Sequence, residues 1–96
     1  MTAARTTIVL EGELDLLRRE ELEEGVARAA AVDGDVVVDL SAVTFMDSSG
    51  VGAIAHIISA VRERGDNVTI LVSARGVAQV LEICGIHQIA EVEAIG

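Results

Sequence analysis

Ninety-six residues fit one small domain with a single core, and seven arginines, no lysine and sixteen acids leave a formal net charge of -9. That balance offers no cationic surface to displace counterions from a phosphate backbone, so it argues against nucleic acid as a partner. One cysteine excludes an intrachain disulfide and a thiolate metal site, which suits a reduced, cytoplasmic setting; no apolar run approaches the ~20 residues of a membrane-spanning helix, and residues 1 to 10 lack a secretory signal.

In chain order, TTIVLEG at 6 to 12 is β-branched and ends at a glycine, which predicts a first strand, with Asp15 placed to cap the helix after it. Residues 16 to 31 predict an amphipathic helix with Leu17, Leu22, Val26, Ala29 and Ala30 toward the core and Arg18, Arg19, Glu23 and Glu24 in solvent. Asp33 and Gly34 supply a turn. DVVVDLS at 35 to 41 is too continuously apolar for a strand with one wet face, so it belongs in the middle of a mostly parallel sheet. Beyond the serines at 48 and 49, Val51, Ile54, Ile58 and Val61 recur at helical spacing, widened by Ala55 and Ile57, until Gly65 ends the helix. VTILV at 68 to 72 reads as a strand. Val77, Val80, Leu81 and Cys84 line a further helix that Gly85 closes, and a short strand comes after it around Ile89 to Val92. The expected fold class is therefore α/β: one domain over residues 1 to 96, a mixed, mostly parallel sheet with helices packed on it.

VTFMDSSGVG at 43 to 52 interrupts this pattern with an acid and two hydroxyls at a helix start, where backbone N–H groups lack intrahelical partners. Two readings stay open. A serine caps the helix and does no more, or a kinase modifies Ser48, whose added charge the free N–H groups tolerate while a docked partner does not. Asp47 orients the hydroxyl or serves as a second cap. Gly50 and Gly52 permit close approach of another backbone, but neither GxGxxG nor GxxxxGK[ST] is present. Catalysis by a serine nucleophile lacks support: there is no GxSxG, and His56, eight residues past Ser48, is expected to point elsewhere on the helix. His56 and His87 read as surface and loop residues, Cys84 as a small core group, Met46 as packing beneath the loop or, if exposed, a docking residue. The seven acids among residues 11 to 24 form a solvated face or a docking surface for a basic partner.

GELD at 12 to 15, DLSAVTFMDSSGVGAI at 39 to 54 and VLEICGI at 80 to 86 together resemble the landmarks of an anti-sigma factor antagonist of the STAS superfamily, over about Val9 to Val92. The resemblance implies a bacterial partner-switch protein in transcription regulation and not an enzyme. Unphosphorylated, it binds an anti-sigma factor serine kinase and so releases a sigma factor; phosphorylation at Ser48 switches it off and a phosphoserine phosphatase restores it. It further implies that Asp47, Ser49, Gly50, Glu13, Asp15 and Met46 are switch-loop and partner-binding candidates. The chain needs no cofactor of its own, ATP and Mg²⁺ belonging to the kinase. The ends are short relative to the family, which raises the expectation of a homodimer across an uncovered sheet edge. Leu16, Leu17, Arg18 and Arg19 stand where related chains often have a small hydroxyl and alanine. The alternative is a non-switching STAS accessory subunit that binds a transporter-associated ATPase, with no direct membrane contact.

Overall fold

The computed structural model describes residues 5–95; residues 1–4 and 96 of the expected domain lie outside the described residues. Strand β1 (Arg5–Leu14) passes through a 3-10 turn (Leu16–Arg18) into helix α1 (Arg19–Ala31), followed by strand β2 (Asp35–Met46), helix α2 (Ser48–Glu63), strand β3 (Val68–Val72), helix α3 (Arg75–Ile83), a second 3-10 turn (Ile86–Gln88) and strand β4 (Glu91–Ala94). The strands lie side by side in the order β1-β2-β3-β4, and every pair among the described residues is parallel. The mostly parallel α/β sheet flanked by helices expected from the apolar run in β2 is therefore what the chain forms.

One face of the sheet carries the core. Ile8, Leu10, Val36, Val38, Leu40, Val68, Ile70 and Val72 alternate with outward residues and pack against Leu22 and Ala29 of α1, Ile54, Ile57, Ile58 and Val61 of α2, and Val77 and Leu81 of α3. Burying such aliphatic side chains stabilises the fold by about 1.5–3 kcal/mol each relative to exposure. The opposite face holds Thr7, Val9 and Glu11 in solvent with Asp39, Thr69 and Leu71 half-buried. The continuity of the Val36 to Val38 run thus marks a central strand, with Val37 buried on the side away from the main core.

Three elements differ from their expected form, the last strand among them: expected around Ile89 to Val92, it is Glu91–Ala94, because Ile89 still caps the 3-10 turn before it. β2 runs five residues beyond Ser41, to Met46, because register shifts against β1 absorb extra residues: Val9 pairs with Asp39 but Glu11 with Ala42, and Gly12 pairs with Val43 but Glu13 with Phe45. The first helix starts at Arg19 because Asp15, as expected, accepts a hydrogen bond from the Leu17 N–H (3.0 Å), but the turn it caps is a 3-10 turn. That turn carries Leu17 out of the core into solvent, and Ala30 is likewise exposed. Cys84, expected in the core, is exposed as well: it is the C-cap of α3, where the chain has already turned away from the sheet toward the left-handed Gly85 (φ 79).

At the end of the sheet where β2 and β3 begin, Arg64 ties three segments together. Its guanidinium donates to the Ala29 carbonyl in the last turn of α1 (2.8 Å), to the Gly34 carbonyl (2.9 Å) and to the Asp66 carboxylate (2.9 Å), which in turn accepts from the Gly34 N–H (3.2 Å). The planar fork of arginine suits this three-way arrangement.

Candidate functional site

The other end of the sheet brings together what the sequence separates. Leu14 pairs with Met46 and Glu13 with Phe45, and the Leu14 carbonyl accepts a hydrogen bond from the Asp47 N–H (3.2 Å). Residues 13 to 15 and 45 to 49 therefore form one surface. At the start of α2 the cap is Asp47, not a serine: its carboxylate accepts from the Ser49 N–H (2.8 Å) and the Gly50 N–H (3.3 Å). Carboxylate and hydroxyl compete for the same donors, and Asp47, one residue earlier, takes them. Ser48 becomes the first residue of the helix with its side chain exposed, and Ser49 is half-buried.

Gly50 and Gly52 have opposite surroundings. A Cβ at Gly50 meets the Met46 side chain at 2.7 Å and the Leu14 carbonyl oxygen at 2.9 Å, so the helix start lies directly on the end of β1 and only glycine fits. At Gly52 a Cβ meets nothing within 4 Å. Met46 and Gly50 are both buried, and so shape the loop from beneath instead of offering it to a partner. Glu13 is exposed, and Asp15 is half-buried as the cap of the 3-10 turn.

Between α1 and the first half of α2 runs a groove of about 510 Å³. Leu22, Val26 and Ala53 make it apolar, Leu16 borders one end, and Ser48, Ser49, Gly52 and His56 line the α2 side. The Arg19 side chain, paired with Glu23 at 3.2 Å, lies along the α1 side. Sequence reasoning missed Leu16, Gly52 and His56 as members of this surface. His56 shares a face with Ser48, contrary to expectation, because eight residues are little more than two helical turns. At 1.5 Å per residue they are nonetheless about 12 Å apart along the helix, beyond any nucleophile–base hydrogen bond. Among the described residues no three His, Cys, Asp or Glu side chains gather as metal ligands, and no helix is long and apolar enough to cross a membrane.

The arrangement joins an apolar groove, hydroxyls at a helix start and acids around the β1–α1 turn. The STAS domain family matches residues 3–94. The chain belongs to the STAS domain family. A STAS domain is a regulatory module and not an enzyme. Two curated relatives, the intermembrane phospholipid transport system binding protein MlaB of Escherichia coli (strain K12) and that of Shigella flexneri, are each 37% identical over 67 residues, 67% of this chain and 64% of their own length. The chain thus spans less than two thirds of the curated relatives it matches.

Solved STAS folds are more distant in sequence. A crystal structure of a candidate anti-sigma factor antagonist from Thermotoga maritima superposes with a TM-score of 0.78 at 18% identity, covering 94% of this chain and 80% of that one. The unphosphorylated anti-sigma factor antagonist SpoIIAA gives 0.71 at 21%, covering 100% and 86%. The STAS domain of a SulP transporter from Vibrio cholerae gives 0.73 at 21%, covering 95% and 74%. Antagonist and transporter domains match about equally, so these likenesses establish the fold and leave the partner open.

The expected phosphorylation-switched antagonist is thereby corrected. The relatives at 37% identity are phospholipid transport proteins, while the likeness to SpoIIAA at 21% reaches the fold alone. With that reading fall the anti-sigma kinase and the phosphatase as partners, and the description of the chain as a partner-switching phosphoprotein.

Proposed function

We propose that this STAS domain is a non-switching accessory subunit that binds a transporter-associated ATPase of a phospholipid-transport system, through the groove between α1 and α2. The observation that carries the reading is the 37% identity to two phospholipid transport system binding proteins over two thirds of the chain. The geometry supports it in a second way. Ser48 and Ser49 lie along a groove lined by Leu16, Leu22, Val26 and Ala53 together with Arg19, Glu23 and His56, so a partner helix finds an apolar bed with hydroxyl and charged groups beside it. Asp47 contributes by fixing the helix start, and Glu13 and Asp15 by their place beside it. The domain holds a surface in shape and the ATPase does the chemistry.

Copurification of the tagged chain from its source cell, with intact-mass analysis, tests this. The expected result is recovery of a transport ATPase in fixed proportion with the STAS chain at its unmodified mass. A folded chain that brings down no transport ATPase overturns the proposal.

A further inference from the structure

Leu17 is 93% exposed, the most exposed large apolar side chain among the described residues, and Leu16 beside it is 61% exposed. An apolar pair in water is ordinary on a loose loop, but this one stands on a fixed turn. The Leu17 N–H is held by the Asp15 carboxylate (3.0 Å) and the Arg18 N–H by the Asp15 carbonyl (3.0 Å). The Arg18 guanidinium reaches back to the carbonyl oxygens of Glu11 (3.2 Å) and Glu13 (3.4 Å) and is also paired with Glu21. Gly12, at φ 77, leaves the guanidinium its place: a Cβ there comes within 3.1 Å of it. A turn clamped at its base and apolar at its tip loses little conformational entropy on docking.

Its surroundings select the occupant. Residues 11 to 24 hold seven acids and two arginines, a net of -5 out of the chain's -9. Both arginines are already paired, Arg18 with Glu21 and Arg19 with Glu23. An anionic lipid surface is repelled by a segment of that net charge, whereas an apolar pocket with basic residues beside it complements both the apolar tip and the charge of the segment that carries it. Leu16 also borders the α1–α2 groove, so the turn extends that surface. We infer that Leu16 and Leu17 form an anchor that inserts into a basic-rimmed apolar pocket of the transporter-associated ATPase, an inference that rests on the reading of the chain as that ATPase's accessory subunit.

The test uses the purified ATPase subunit of the source cell's phospholipid-transport system, with wild type, the double variant Leu16→Ser/Leu17→Ser and, as a control, Ile83→Ser. Ile83 is 77% exposed on α3 and outside the proposed surface. Because the leucines are exposed, the double variant should melt like wild type, and a melting curve checks that it does. The anchor requires the double variant to bind about tenfold or more weakly, the control to bind as wild type does, and added salt to weaken the wild-type complex. Wild-type binding that the double variant retains in full overturns the anchor alone; wild type that fails to bind the ATPase overturns it together with the accessory-subunit reading. A third arm offers vesicles of phosphatidylethanolamine and phosphatidylglycerol. Vesicle binding that depends on the two leucines, with ATPase binding unchanged, replaces the protein pocket with a lipid surface and also overturns the inference.

Discussion

Asp47 closes the first turn of α2 with its own carboxylate, so Asp47→Ala removes two accepted hydrogen bonds and should lower stability by about 0.5–2 kcal/mol. Ser48→Ala removes no cap and should stay within about 0.5 kcal/mol of wild type; urea midpoints of the two variants separate the roles. The glycines divide in a similar way. Gly50→Ala drives a methyl into Met46 and the Leu14 carbonyl and should destabilise by about 1–3 kcal/mol. Gly52→Ala meets open space within a helix and should stabilise by about 0.5–1 kcal/mol, yet weaken the proposed binding to the ATPase because its methyl narrows the groove; a melting curve and a binding isotherm on one sample check both signs. Asp39 carries a pH prediction. The Ser41 hydroxyl first, and the Ser41 N–H (2.9 Å) second, hold its carboxyl below its ordinary value. The folded pKa is lowered, so the stabilisation is present above the ordinary Asp value and lost as pH falls through the folded one. Ser41→Ala should therefore raise the titration midpoint of Asp39, followed by carboxyl NMR. At this scale the sequence showed that a cap stood at the start of α2 and that Asp15 was one. It did not separate Asp47 from its serine neighbours, since all three side chains can accept the same N–H groups.

Helical periodicity placed the three long helices, and β-branched or continuous apolar runs placed four strands, the last of them two residues early. Periodicity failed where local capping overrides it. Leu17 fits the apolar stripe of α1 by spacing, but the Asp15-capped 3-10 turn has fewer residues per turn and sends it outward. Cys84 fits the stripe of α3, but the helix ends one residue before it. β2 looked complete at Ser41 because Ser41 and Thr44 break the apolar run, whereas register shifts carry the strand on to Met46. The groove was not legible, since it depends on how α1 lies against α2 and on which glycine faces outward. Arg64 joins the ends of these elements. Arg64→Ala leaves the Ala29 and Gly34 carbonyls without their donor and should lower stability by about 1–3 kcal/mol. Arg64→Lys, a point charge in place of a fork, should recover only part of that loss, as denaturant midpoints would reveal.

Across the whole molecule the charge of -9 outweighs the exposed ion pairs, which contribute little singly. Added salt at neutral pH should therefore raise the urea midpoint by screening self-repulsion; a fall would mean that the Arg18–Glu21 and Arg19–Glu23 pairs dominate. The fold class was legible from the order of the elements, and the GELD and MDSSGVG landmarks pointed to the STAS superfamily. The partner was not, because one scaffold serves antagonists and transporters alike and its landmarks mark the scaffold. One property of that scaffold bears on its synthesis. Among the described residues the strands stand in the sheet in the order in which they occur in the chain, so none of these has to thread between two neighbours that have already joined. A nascent polypeptide leaving the ribosome can lay down β1 and β2 and then extend a growing border one strand at a time, with the unfinished sheet waiting for its next member and never for an earlier one.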